Sequence, residues 1–255
     1  MKTADIKFNT SDRPEFVKTL RLRVNTYFKE NNKSKYGNAN MVIKTIFMLS
    51  LYFVPYFLIL FNASLNPWVV LGYWLLMSLG MAGIGFSIMH DANHSAYSKN
   101  KKVNQYLGYL INLVGGSSVN WKIQHNVLHH TFTNVEGHDE DIDAGRIIRF
   151  SQHSKWLPIH KIQKYYSIFL YGLLTINWAI TTDIKQMHRY LKRKLSYGKF
   201  PNPATEWTKL VISKIIYYSL WIVLPLLVLD VSWWKVLIGF FVMHYTAGMI
   251  LSLVF

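Results

Sequence analysis

Residues 45–89 read TIFMLSLYFVPYFLILFNASLNPWVVLGYWLLMSLGMAGIGFSIM and contain no Asp, Glu, Lys or Arg. Those 45 residues are about twice the ~20 that one helix needs to cross a bilayer core, so the stretch is two spans. The break falls at NASLNP, placing helices over about 44–61 and 67–89. Pro55 lies inside the first, where it removes one backbone donor. Ser78, Ala82, Gly83 and Ser87 keep the end of the second narrow, which suits close helix packing or, alternatively, the wall of a tunnel.

HDANH (His90–His94) follows directly, and WKIQHNVLHHTFTN (Trp121–Asn134) comes shortly after it. Five of the chain's 10 histidines lie in these two segments. On a helix His90/His94 and His125/His129 are i, i+4 pairs, so each pair projects from one face toward a common cation. His130 points about 100° away from His129, toward a second cation. The chain has no Cys, and neutral imidazoles suit Fe, Zn, Cu or Ni. His90, His94, His125, His129 and His130 are therefore candidate metal ligands, with Asp91 beside the first pair in position to orient an imidazole. His138 is a weaker candidate. His153, His160 and His188 lie among basic and aromatic residues and read as structural, and His244, inside the last apolar run, as a hydrogen-bonded packing residue.

Five carboxylates stand between Glu136 and Asp143. Asp139, Asp141 and Asp143 have the spacing of a calcium loop, but Ala144 replaces its glycine and Phe150 its bidentate glutamate, which excludes calcium. Asp139 and Asp141 are expected to accept hydrogen bonds from the ligating histidines, or to pair with the basic residues that follow.

A chain that is 51% hydrophobic, with 9 Trp, 16 Tyr and 15 Phe, is a membrane protein with charged lobes rather than a soluble two-domain enzyme. The net charge of +15 comes without any nucleic-acid motif. Of 28 Lys/Arg, 9 precede Asn40 and 16 lie between His90 and Lys209, whereas Asn62–Asn66 and Asp230–Trp234 hold none. Both termini and both histidine segments are therefore expected on the cytoplasmic side. Residues 1–40 form a polar surface segment with a helix over Pro14–Phe28 capped by Asp12, no cleaved signal peptide and no haem-binding pattern. Val103–Trp121 is uncharged yet rich in Asn, Gly and Ser; a crossing there would put the two histidine segments on opposite faces, so it is re-entrant or interfacial. Arg146–Tyr166 reads as an interfacial basic-aromatic helix. Tyr165–Thr182 reads as an interfacial or buried helix, and the basic run Lys185–Lys194 as a solvated or lipid-facing basic helix, with a contact for anionic head groups or carrier phosphates as the alternative. Spans over about 210–229 and 236–255 complete the layout. The expected fold is an all-α integral membrane protein: four transmembrane helices as two hairpins within a domain 41–255, plus a cytoplasmic lobe, 90–209, of interfacial helices carrying the histidine boxes.

HDANH at the end of the second span and HNVLHH on the same side resemble the integral-membrane fatty acid desaturases. WKIQHNVLHHTFTN followed by GHDEDID is especially similar to the bacterial branch related to front-end and linoleoyl-CoA desaturases. The resemblance runs from about Asn38 onward. It implies a bacterial cell-membrane enzyme with a non-haem di-iron centre held by histidines, His90 and His94 forming the first box and His125, His129 and His130 the second. The two iron ions and O2 would desaturate a fatty acyl-CoA or acyl-lipid substrate with electrons from a ferredoxin or cytochrome b5-type donor. Members carry a third HxxHH box, plus another ligating His, after the last span, so the sequence as given is expected to be C-terminally incomplete and inactive on its own, the alternative being a family-like chain with a different, mononuclear site. The competing readings are a membrane di-iron hydroxylase of alkanes, sterols or carotenoids, and a non-enzymatic membrane metal- or haem-binding protein.

Overall fold

The computed structural model describes residues 6, 15–62, 66–143, 145–198 and 202–254. The described residues are helical with no strand, and four helices are long and apolar enough to cross a membrane. They are α2 (Ala39–Phe61), α3 (Pro67–Asn93), α9 (Pro203–Val228) and α10 (Trp233–Val254). Before them α1 (Glu15–Glu30) is exposed along its length; Asp12 and Pro14, expected to start it, lie outside the described residues. Between α3 and α9 come α4 (Lys101–Gly108), α5 (Leu110–Leu113), α6 (118–132), α7 (Gln163–Tyr171) and α8 (174–192).

Asparagine starts three of the four long helices. Asn38 accepts from Met41 N–H, Asn66 from Trp68 N–H and Asn202 from Ala204 N–H, and in the last two a proline at the first helical position needs no partner for its nitrogen. These caps lie outside the apolar runs, so α2 begins five residues before the expected 44 and α9 seven before the expected 210. The intervening Lys44 and Lys209 have stems long enough to reach a polar boundary. The α2 helix continues unbroken through Pro55.

α3 is the central helix, with α2 and α10 packed on it. A Cβ at Gly80 would stand 2.6 Å from the Tyr52 nitrogen, so this approach is open only to glycine. Ser78 and Ala82 are buried in the same contact zone, and a side chain at Gly83 would strike Met48. The small residues thus serve helix packing. The core of Tyr52, Met77, Tyr217, Trp221 and Met243 fills the space between spans.

The 103–121 segment forms no helix long enough to cross a membrane. It breaks into α4, α5, a turn with Gly115 at φ +93° and the start of α6. A break of this kind strands main-chain carbonyls, and the spans supply the missing donors: Tyr52 Oη–H and Trp221 Nε1–H both donate to the Leu113 carbonyl, at 2.9 and 3.0 Å. The 165–182 stretch likewise breaks after α7 and lies against α10, where Thr175 donates to the His244 carbonyl (2.8 Å) and Gly172 fits beneath Tyr245. His244 is fully buried and hydrogen-bonded to Tyr217 and Thr175, a packing role.

Candidate metal centre

Two helices deliver the imidazoles, and both widen into π turns as they do so. α3 passes through a π segment at Ile84–Met89 just before His90, and α6 is π-helical over Lys122–His129. A π turn pairs i with i+5 rather than i+4. On α6 this brings both His129 and His130 to the side of His125, with ring centroids 5.3 and 4.7 Å away. His130 therefore does not turn away to a separate site: it also lies 4.9 Å from His94. Across the two helices His90 stands 5.2 Å and His94 5.1 Å from His125, and nitrogens of His90, His94 and His125 lie within 4.8 Å of one another. Asn126 fastens the helices together by donating to the Asn93 carbonyl at 3.1 Å.

Burial, reinforced by the neighbouring imidazoles, pushes the His125 pKa down to about 3 and that of His94 down to about 4. Both rings are thus neutral at physiological pH, the state in which imidazole ligates metals. The His125 Nε2 is buried without a hydrogen-bond partner among the described residues. An orphaned neutral nitrogen amid four other imidazoles suits a cation far better than a hydrophobic packing role.

Each box also has a carboxylate. Asp91 lies 3.3 Å from His90 Nδ1. His129 Nδ1 is 3.1 Å from both oxygens of Asp139 and 3.1 Å from Asp141 Oδ2. A carboxylate only accepts, so His129 Nδ1 carries the proton and Nε2 is left as the donor for a metal. Asp139 is 1% exposed and accepts from the Asn134 and Asp141 N–H groups. Burial pushes its carboxyl up, but these bonds and His129 outweigh it and hold the pKa below the ordinary value. Asp141, with burial dominant, is raised. His129, Asp139 and Asp141 could themselves enclose a cation, but with both carboxylates on Nδ1 their geometry is that of acceptors orienting the ring.

Several contributors escape a sequence reading. Trp121 stacks on His125 with centroids 4.5 Å apart and planes at 26°. Gln124 donates to Asp141 (2.6 Å) and accepts from Gln186 on α8 (2.7 Å). Glu140 receives Arg189 through both guanidinium nitrogens, together with Tyr190, so the acidic stretch splits its work between histidines and basic helix. Beneath α6, Lys214 donates to Asp183 (2.7 Å) and the Gly115 carbonyl (2.7 Å), while Asn120 donates to the Asp183 carbonyl (2.7 Å). Lys214 had a visible signal: it is the only charge in the apolar run 210–229. His138 packs on Phe132 at 5.0 Å and lies near the Glu136 carbonyl instead of joining the cluster. His153 and His188 are exposed, and His160 bonds main-chain groups of Leu157 and Arg146.

Residues 66–255 match the family model described as fatty acid desaturase. The chain is 31% identical over 241 residues to an sn-1 linoleoyl-lipid 6-desaturase of Arthrospira platensis, covering 94% of this chain and 64% of that protein. It is 32% identical over 262 residues to the protein of the same description from Synechocystis sp., covering 100% and 70%. With an acyl-lipid (8-3)-desaturase of Physcomitrium patens it shares 35% identity over 186 residues, 71% of this chain and 38% of that one. No solved structure shows a significant match.

Proposed function

The chain belongs to the fatty acid desaturase family, and we propose that it introduces a double bond into the acyl chain of a membrane lipid, using two non-haem irons held in part by His90, His94, His125, His129 and His130. The observation that carries this reading is the convergence of those imidazoles from two helices, with His125 Nε2 buried and unpartnered. Irons so held, when bound, supply the O2-dependent oxidising power needed to take two hydrogens from an unactivated chain. The balance is one O2, two electrons and two protons in, an alkene and two waters out. The electrons come from a ferredoxin or cytochrome b5-type donor.

This chain's residues prepare the site. Asp139 and Asp141 fix the tautomer of His129, and Asp91 stands by His90 in the same relation. Met89, Ile111 and Trp121 form an apolar pack adjoining the imidazoles, which excludes water from the spans' side of the centre and protects a strong oxidant from side reactions. Acyl-lipid is favoured over acyl-CoA because the relatives' descriptions name lipid-linked chains. The proposal includes a multi-pass bacterial cell-membrane location, four spans as two hairpins, and a surface segment 1–40 ahead of a domain 41–255. Its lobe 90–209 and both termini face the cytoplasm, in line with the distribution of Lys and Arg.

The test compares lipid extracts of cells expressing the enzyme with those of cells expressing His129→Ala and His153→Ala, scored as new double bond per amount of membrane protein. His129→Ala should abolish the product and His153→Ala should retain it. Equal loss from both, or a hydroxylated product, would refute the reading.

A further inference from the structure

A cavity of about 240 Å³ adjoins the end of the first histidine box. Its walls come from the end of the first box (Ser95), from α4 (Lys101, Gln105, Tyr109), from α6 (Lys122) and from the segment after α8 (Tyr197). No carboxylate lines it. Lys122 is half-buried and forms no ion pair among the described residues; its Nζ lies 5.9 Å from the centre of the Tyr197 ring. The more deeply buried Lys214, by contrast, meets Asp183. Burial pushes the Lys122 ammonium down from the ordinary lysine value. A partly desolvated cation is costly unless an anion joins it, and Lys101, itself exposed, lines the same cavity.

The remaining polar wall groups are the Asn93, Asn104 and Gln105 amides, the Asn93 Oδ1 being a buried acceptor without a partner among the described residues, and three hydroxyls able to donate. Gln105 gives one amide proton to Tyr109 Oη at 2.9 Å, which leaves the Tyr109 hydroxyl proton free for another acceptor, alongside the Ser95 and Tyr197 hydroxyls. Two ammonium groups and three hydroxyls around a cavity without carboxylates match a multiply charged oxyanion. Position narrows the ligand further. Lys122 is three residues before His125, and Ser95 follows His94 directly, so an anion held here is anchored next to the metal centre.

We propose that this cavity binds the phosphate group of the acyl carrier, with Lys101 and Lys122 as its cations, so that the attached chain is fixed in register relative to the imidazoles. The assignment of the phosphate to an acyl carrier rests on the desaturase reading above; the anion site itself does not. Lipid phosphodiester and coenzyme A phosphate share this chemistry, and the test separates them.

The full chain, purified in detergent, is titrated calorimetrically with lysophosphatidylglycerol, coenzyme A and inorganic phosphate, with palmitate as a probe lacking phosphate. Lys101→Gln and Lys122→Gln should each weaken binding of the phosphate-bearing carrier by about tenfold, the loss of one charge-assisted bond. Lys102→Gln, exposed and outside the cavity, should bind as the parent does, and palmitate should not distinguish any of the four proteins. A preference for lysophosphatidylglycerol identifies the lipid as carrier, and one for coenzyme A the soluble thioester. Binding of inorganic phosphate with neither carrier overturns the carrier assignment. Equal effects of Lys122→Gln and Lys102→Gln, or equal losses for palmitate, overturn the site. Because binding is read without turnover, absent double-bond formation with lysine-dependent binding counts against the desaturase reading alone. Normal double-bond formation with lysine-independent binding counts against this cavity alone.

Discussion

Asp139→Asn probes how much of the metal centre depends on groups that never touch metal. The carboxylate accepts Asn134 N–H at 2.8 Å, Asp141 N–H at 3.0 Å and His129 Nδ1–H at 3.1 Å to either oxygen. These donors approach both oxygens, and an amide keeps only one. The Asn134 or the Asp141 N–H must then face an NH2 group, and the imidazole keeps one of its two acceptor oxygens. Each bond to a charged acceptor is worth about 1.5–3 kcal/mol, and a buried donor left unpaired costs about 1–3 kcal/mol. With Asp139 only 1% exposed, water cannot fill the gap. Losing one such contact from a ligand's orienting group corresponds to about a 10- to 100-fold loss of metal affinity. The assay is iron retained by purified protein after dialysis against graded chelator, with Asp143→Asn as control, since that exposed carboxylate accepts only from Gly145 N–H. Asp139→Asn should release iron at about 10- to 100-fold lower chelator, with little change for Asp143→Asn. Retention equal to the parent, or equal loss from both variants, would show that His129 needs no carboxylate to hold its tautomer.

Acidification should destabilise the metal-free protein. His94 and His125 are held neutral, with pKa values lowered from 6.5 to about 4 and about 3, so the unfolded chain binds more protons below pH 6.5 and stability falls from there through about 4 and then about 3; a melting temperature unchanged between pH 7.5 and 5 would contradict this. Lys214→Met should destabilise by about 3–5 kcal/mol by leaving the Asp183 charge buried and unpaired, and adding Asp183→Asn should recover much of it. A denaturation series showing no recovery in the double variant would mean that Lys214 acts mainly through the Gly115 and Trp178 carbonyls.

How far the architecture can be read from sequence depends on the range of the physics behind each part. The spans are legible because an uncharged run of 45 residues has few other stable fates, and the non-crossing of 103–121 follows from requiring two histidine groups to meet. The imidazole cluster is legible in membership but not in geometry. An i, i+4 reading turns His130 away from His125, whereas the structure holds their rings 4.7 Å apart because α6 is π-helical across Lys122–His129. No local side-chain pattern specifies that widening. It accompanies long-range constraints: Asn126 tied to the Asn93 carbonyl, Gln124 to Gln186, and Ile123 and Leu128 packed with Tyr190 on α8. The two amide anchors lie 33 and 62 residues from their partners along the chain. The same distance hides the donors for Leu113, whose carbonyl is met by Tyr52 and by Trp221, 61 and 108 residues away. A buried break in a helix therefore identifies itself only by its unsatisfied carbonyl, and the residues that satisfy it become visible once the spans are packed. For the candidate metal centre the consequence is that the clustering imidazoles are written locally in HDANH and HNVLHH, while their orientation is set by Asp139, Trp121 and the α8 face that holds α6 in its widened turn.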